Sequence, residues 1–131
     1  MQTFLPYADF ERSTHVLDTK RLGKQRLEAK QILNTLRNGG GGWANHPACK
    51  MWMGYEAALE NYGYYCVLEW TTVRNYKNTI EFTFRPGSPL PPWFGDEAFH
   101  ASHRSNLLRK DPAFYGRYGW TESPDLPYVW P

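Results

Sequence analysis

A mainly α-helical fold is what this sequence predicts: a compact single-domain helical bundle with a long proline-rich loop and an extended C-terminal tail. Apolar residues recur at helical spacing in three segments, and no segment alternates strictly over any length. The 131 residues have room for one core, and 41% apolar with 17% aromatic content is enough to fill it. That composition excludes disorder, collagen and coiled coil. No apolar run reaches the roughly 18 to 20 residues that cross a bilayer, and the N-terminus lacks a signal-peptide pattern, so a soluble cytoplasmic monomer with no membrane partner is expected. Cys49 and Cys66 stand outside any CxxC pair and are expected to be free thiols.

The first helix is expected to start at Ser13 or Thr14, either of which can cap, and to run to Arg37, where Asn38 and the glycines 39–42 end it. A second starts at Asn45-His46-Pro47, with proline in the first turn, and carries the core stripe Ala48, Met51, Trp52, Tyr55, Leu59, Tyr62 and Cys66. Residues Glu69 to Phe84 are rich in β-branched and aromatic side chains but continue directly from that helix, and are read as a third. Eight of the ten prolines lie at or after Pro86, which makes Arg85 to Gly95 a loop carrying Trp93 and Phe94. A fourth helix over about Glu97 to Lys110, a short turn or helix from Pro112 to Tyr118, and an extended tail from Pro124 complete the chain.

Charge is distributed unevenly. The net charge is +2, yet Lys20 to Arg37 holds Lys20, Arg21, Lys24, Arg26, Lys30 and Arg37 against Glu28 alone. A second basic segment holds Arg104, Arg109, Lys110 and Arg117 with Phe114, Tyr115, Tyr118 and Trp120 interleaved. Two such segments on a nearly neutral chain suggest a face for a polyanion, or else solvated helix faces. On a helical wheel Leu22, Ala29, Ile32, Leu33 and Leu36 form one stripe, with Asp18 and Gln25 in its middle and Arg21 and Glu28 at its edge. Polar groups there must either pair in a buried network or line a pocket.

His100 and His103 share a helix face and, with Arg104, read either as phosphate or base contacts or as hydrogen-bonded histidines holding the proline-rich loop. His15 and His46 stand near helix starts. The three-residue spacing admits a metal pair but no third ligand follows at a diagnostic distance, so neither metal nor cofactor is expected. Trp43 and the Trp93-Phe94 pair are candidates to stack on bases. Phosphate-loop, nucleophile-elbow and zinc-protease motifs are absent.

The segments Thr3-Phe-Leu-Pro-Tyr7, Leu17-Asp-Thr-Lys-Arg-Leu-Gly-Lys-Gln-Arg-Leu-Glu28, His46-Pro-Ala-Cys-Lys-Met-Trp52 and Phe99-His-Ala-Ser-His-Arg-Ser-Asn-Leu-Leu-Arg109 resemble a branch of small phage and actinobacterial proteins of the pyrimidine-dimer DNA glycosylase family, the endonuclease V type. The resemblance implies an all-helical enzyme that acts on double-stranded DNA, attacks C1′ of a damaged nucleotide with its N-terminal amine, forms an imine and nicks the abasic strand by β-elimination. It aligns the family's histidine and arginine with His15 and Arg21, and its C-terminal DNA-contact segment with Phe114-Tyr-Gly-Arg-Tyr-Gly119. Leu22 then stands where the family has its catalytic glutamate, so Glu28 or Asp18 is expected to supply the carboxylate. The large Gln2 makes Met1 the expected bearer of the amine, with Lys24 as the competing nucleophile.

An α-amine is partly neutral at pH 7 where an ordinary lysine is not, and a carboxylate beside C1′ stabilises the developing positive charge and then takes a proton. Met1, Asp18, Arg21, Lys24 and Glu28 are thus the expected catalytic set. Thr3, His15, Gln25, Arg26, Trp43, His46, Lys50, His100, His103, Arg104, Arg109, Lys110, Tyr115, Arg117 and Tyr118 are the expected DNA contacts. Two other readings fit the same residues: a non-catalytic DNA-binding protein that modulates host defence, and a metal-dependent nuclease using His46, His100 and His103 with a carboxylate.

Overall fold

A computed structural model describes residues 1–39 and 44–131. Trp43 lies outside the described residues. Among these there is no strand, and six α-helices carry the fold: α1 (Phe10–His15), α2 (Thr19–Asn38), α3 (Pro47–Lys50), α4 (Glu56–Leu68), α5 (Glu97–Lys110) and α6 (Pro112–Tyr115). No helix of the described residues is long and apolar enough to cross a membrane.

The expected first helix is two. Asp9 caps α1 by accepting from the Arg12 amide at 2.8 Å, and Asp18 caps α2 by accepting from the Arg21 amide. Ser13 and Thr14 are no caps; they are buried inside α1, where Ser13 Oγ donates to the Tyr7 carbonyl. The carbonyls freed at the break are claimed from far along the chain: Arg74 donates to His15 O at 3.1 Å and to Leu17 O at 2.6 Å. Gly39 ends α2 as expected, in the left-handed conformation with its amide on Thr35 O.

The expected second helix is interrupted as well, because Gly54 takes a φ of +84° and a turn separates α3 from α4. Its stripe still reaches the core: Ala48, Trp52, Leu59, Tyr62 and Cys66 are buried against Leu22, Ala29, Ile32 and Leu33 of α2. Cys49 and Cys66 are free and buried.

The third helix expected over Glu69 to Phe84 is corrected. Only Glu69–Val73 is helical, as a π-turn, and Asn75 leaves it at a φ of +60°. From there the chain runs without regular structure along α2 and α4, its backbone bonded to side chains: Glu60 takes the Thr83 amide at 2.9 Å, and Asn61 takes the Arg85 amide at 2.7 Å. Phe82 lies flat on Gly63, where a Cβ would sit 2.3 Å from the ring. Trp93 and Phe94 are half-buried core rather than exposed stacking groups, with Trp93 5.0 Å from Trp52 and 4.7 Å from Phe99 by ring centroids. Helix α5 occupies its expected span, capped by Asp96.

The feature that organises the fold is the N-terminal segment. Residues 2–6 are buried outside any helix and pair with no strand, so side chains must satisfy their backbone. Gln25 of α2 accepts from the Phe4 amide at 2.8 Å and donates to the Gln2 carbonyl at 3.0 Å. The Tyr62 hydroxyl of α4 lies within reach of both Phe4 O and Gln25 Oε1. On α5, His103 Nδ1 accepts from the Leu5 amide at 2.9 Å while His100 Nδ1 donates to the Leu5 carbonyl at 2.7 Å. Three helices thereby clamp one strand of chain.

Candidate active site

Met1 emerges from this clamp into a cleft of about 380 Å³. One wall is α2, where Lys20, Arg21, Lys24, Gln25 and Glu28 face the same side; Lys110 closes it from the end of α5. Phe4 and Tyr128 provide its aromatic surface, and Gln2 completes the lining. Four cationic side chains stand against one carboxylate, so the cleft is built for an anion of several charges.

Glu28 is held at the N-terminus. Its Oε2 accepts from Gln25 Nε2 at 3.0 Å and from the Gln2 amide at 3.4 Å. Gln25, itself buried, uses its amide oxygen on Phe4 and its amide nitrogen on Gln2 and Glu28, so one residue sets both the path of the N-terminus and the aim of the carboxylate. Asp18 does different work and does not line the cleft. Burial raises its pKa, but hydrogen bonds from Tyr115 and Arg21 outweigh this and hold the carboxyl below its ordinary value. Arg21 Nη1 reaches Asp18 Oδ1 at 3.1 Å, so Asp18 and the buried Tyr115 fix the base of the arginine that enters the cleft.

The structure thus brings Met1, Arg21, Lys24, Gln25, Glu28 and Lys110 together, with Asp18 behind Arg21. Several other expected DNA contacts sit elsewhere. His100 and His103 are buried and occupied by Leu5, and His100 Nε2 also accepts from the Gly95 amide at the end of the proline-rich loop, the arrangement of the second reading, histidines that hold that loop. Burial pushes His103 down to about 3 and His100 below its ordinary value, which keeps both rings neutral. Thr3 is buried and accepts from Trp52 Nε1 at 3.1 Å. Arg104 is nearly enclosed, ion-paired to Glu97 and Glu122 and donating to Pro6 O at 2.7 Å; its charge is spent inside the fold. Tyr115 is fully buried.

Arg26 faces away from the cleft, over the Trp70 ring at 4.2 Å and bonded to Asn78. His15 is exposed and pairs with Glu69 at 3.0 Å in a second cleft shared with Asp9, Glu11 and Arg12. Arg117 lies over the Phe114 ring, Arg109 reaches Pro124 O, and Tyr118 donates to Val16 O. Lys50 is exposed at the end of α3, and His46 caps the start of that helix by accepting from the Ala48 amide at 3.0 Å. Among the described residues no group of three or more His, Cys, Asp or Glu is arranged to hold a metal ion.

Sequence reasoning passed over Lys20, Phe4, Gln2 and Tyr128 as site residues. Lys20 could have been found, since Lys20, Lys24 and Glu28 follow each other at four-residue spacing on one helix face. Tyr128 had no such signal, lying a hundred positions from Glu28.

The family model described as pyrimidine dimer DNA glycosylase matches residues 1–84 of the 131. No curated protein and no solved structure matches the chain. The matched stretch holds the clamped N-terminal segment, helices α1 to α4 and every cleft residue except Lys110 and Tyr128, and on that match the chain belongs to the pyrimidine dimer DNA glycosylase family.

Proposed function

We propose that this protein removes a damaged pyrimidine from double-stranded DNA, with the chemistry carried by the Met1 α-amine and Glu28 in the cationic cleft. The observation that supports this most directly is the clamp: side chains of three helices are committed to delivering residue 1 beside a carboxylate. An amine there attacks C1′, the bond from C1′ to the base nitrogen breaks, and the base leaves with the electron pair and takes up a proton. Ring opening gives an imine between Met1 and the sugar. Glu28 stabilises the positive charge developing on the sugar, then removes a C2′ proton so that the C3′–O bond breaks, the lyase step. Lys20, Arg21, Lys24 and Lys110 hold the backbone phosphates.

The test is borohydride trapping on a duplex carrying a single thymine dimer, followed by proteolysis and mass mapping of the adduct. The adduct is expected on Met1, and one added residue before Met1 should abolish trapping while leaving DNA affinity within a few fold. Glu28→Gln should lower base release about 100-fold or more with little change in binding, because the charge acts mainly in the transition state. An adduct on Lys24 would transfer the nucleophile to that residue. Base release with no adduct under any condition would mean water as nucleophile and Glu28 as its general base.

A further inference from the structure

The C-terminal tail is stitched to α5 by a buried polar face. Ser102, Ser105 and Asn106 stand at one, four and five positions along a single side of that helix and are all buried. Their partners are tail backbone: Ser105 Oγ donates to Ser123 O and accepts from the Leu126 amide at 3.0 Å, Asn106 donates to Leu126 O at 3.1 Å, and Ser102 Oγ accepts from the Val129 amide at 3.1 Å. Ser102 Oγ also donates to Phe99 O at 2.7 Å and Asn106 Nδ2 to Ser102 O at 2.7 Å, so these two side chains bond helix and tail at once, and with Ser105 they hold residues 123–129 as part of the fold.

What the stitching delivers is Tyr128. Its ring forms part of the cleft wall, backed by the edge of His103 at 5.6 Å between centroids and tilted against Phe4 at 6.5 Å. Phe4 is only 7% exposed, so Tyr128, half-buried, offers the more accessible ring in a cleft whose other lining is Met1, four cations, two amides and the Glu28 carboxylate. A ligand with several negative charges and a flat apolar face matches such a lining, and a nucleotide has both. We infer that Tyr128 is the stacking platform for a nucleobase displaced from the helix at the lesion. This rests on the base-removal reading above, and it adds the group that receives the unstacked base. Tyr128 lies beyond residues 1–84, so the platform belongs to the part of the chain that the family match does not cover.

The experiment uses the full chain and thymine-dimer duplexes labelled with 2-aminopurine opposite the dimer, or on either side of it. Unstacking from the duplex raises 2-aminopurine fluorescence, and in wild type stacking on Tyr128 is expected to quench that rise at one of these positions. Tyr128→Phe, which keeps the ring, should retain that quench. Tyr128→Leu should lose it, with about a 10-fold or greater loss of affinity, in a variant that still unfolds in one cooperative transition. Equal quench and affinity in wild type and Tyr128→Leu at all three label positions overturns the platform. Base release by wild type is scored separately on unlabelled duplex: release with no Tyr128 dependence sinks the platform alone, and a Tyr128-dependent quench without release sinks the base-removal reading alone. Should Tyr128→Leu fail to fold, photocrosslinking of wild type to duplexes carrying 5-iodouracil at the same positions decides. An adduct on Tyr128 supports the platform, and adducts only on other residues overturn it.

Discussion

Gln25 shows how much one uncharged side chain can determine. It is 1% exposed, and both ends of its amide are used, on Phe4 and Tyr62 through the oxygen and on Gln2 and Glu28 through the nitrogen. Asp18 and Glu28 differ for a related reason: the first is consumed by Tyr115 and Arg21, while the second is steadied by Gln25 and still faces the cleft. Replacing Gln25 with leucine keeps the bulk and removes every one of these partners. The Phe4 amide and the Gln2 carbonyl are then buried unpaired, at about 2 to 4 kcal/mol in total. A denaturant titration of Gln25→Leu should show that loss together with loss of imine trapping. A change below about 1 kcal/mol would mean that the two histidines hold the N-terminal segment unaided.

At the scale of elements, segments were readable from sequence where local chemistry decides them. Helix α5 has an aspartate cap before it and Asp111-Pro112 after it, and its span was legible at both ends; the glycine that stops α2 was equally plain. The break between α1 and α2 was not, because the groups that satisfy its carbonyls belong to Arg74, more than fifty residues on. The stretch after Val73 was misread as helix because its alternative depends on tertiary partners, Glu60 and Asn61 for its backbone and Gly63 for the Phe82 ring. The candidate site divides the same way. The grouping of Arg21, Gln25 and Glu28 on α2 was legible on the helical wheel, which placed Asp18 with them and left out Lys20, whereas the burial of residues 2–6 depends on Gln25, Tyr62, His100 and His103, which no local pattern connects. Gly63→Ala tests the tertiary account directly: the added methyl meets the Phe82 ring far inside contact distance, so ring and segment must move. A loss of about 1 to 3 kcal/mol is expected by thermal or chemical unfolding, where a mid-helix glycine would ordinarily gain stability from alanine. A stabilised Gly63→Ala variant would show that the segment is not seated there.

Across the whole molecule, charge is sorted by use. Arg37 and Arg85 are paired with Glu60, Arg74 with Glu69 and Arg104 with Glu97 and Glu122, while Lys20, Lys24 and Lys110 gather with the Asp18-paired Arg21 around one cleft, although the net charge is only +2. The histidines on Leu5 are kept out of this economy by being neutral, and that gives the fold a defined weakness to acid. His103 is surrounded by Phe4, Phe99 and Tyr128, with His100 as its nearest titrating neighbour, and its Nδ1 must stay unprotonated to accept from the Leu5 amide. Its pKa is about 3 in the fold against an ordinary 6.5, and that of His100 is lowered too. Above pH 6.5 folded and unfolded chains both hold these rings neutral, and neither histidine makes stability depend on pH. Below it the unfolded chain binds protons that the folded chain refuses, so stability falls with pH; for His103 the slope approaches about 1.4 kcal/mol per unit, and the loss continues until pH nears 3. His103→Gln retains an acceptor for the Leu5 amide and cannot titrate. Denaturant midpoints measured from pH 7.5 to 4.5 should therefore fall less steeply in His103→Gln than in wild type, by one proton's slope, with imine trapping lost at a lower pH in the variant because the Leu5 clamp that aims Met1 survives further into acid. Parallel stability curves for the two proteins would mean that His103 takes up its proton without releasing Leu5.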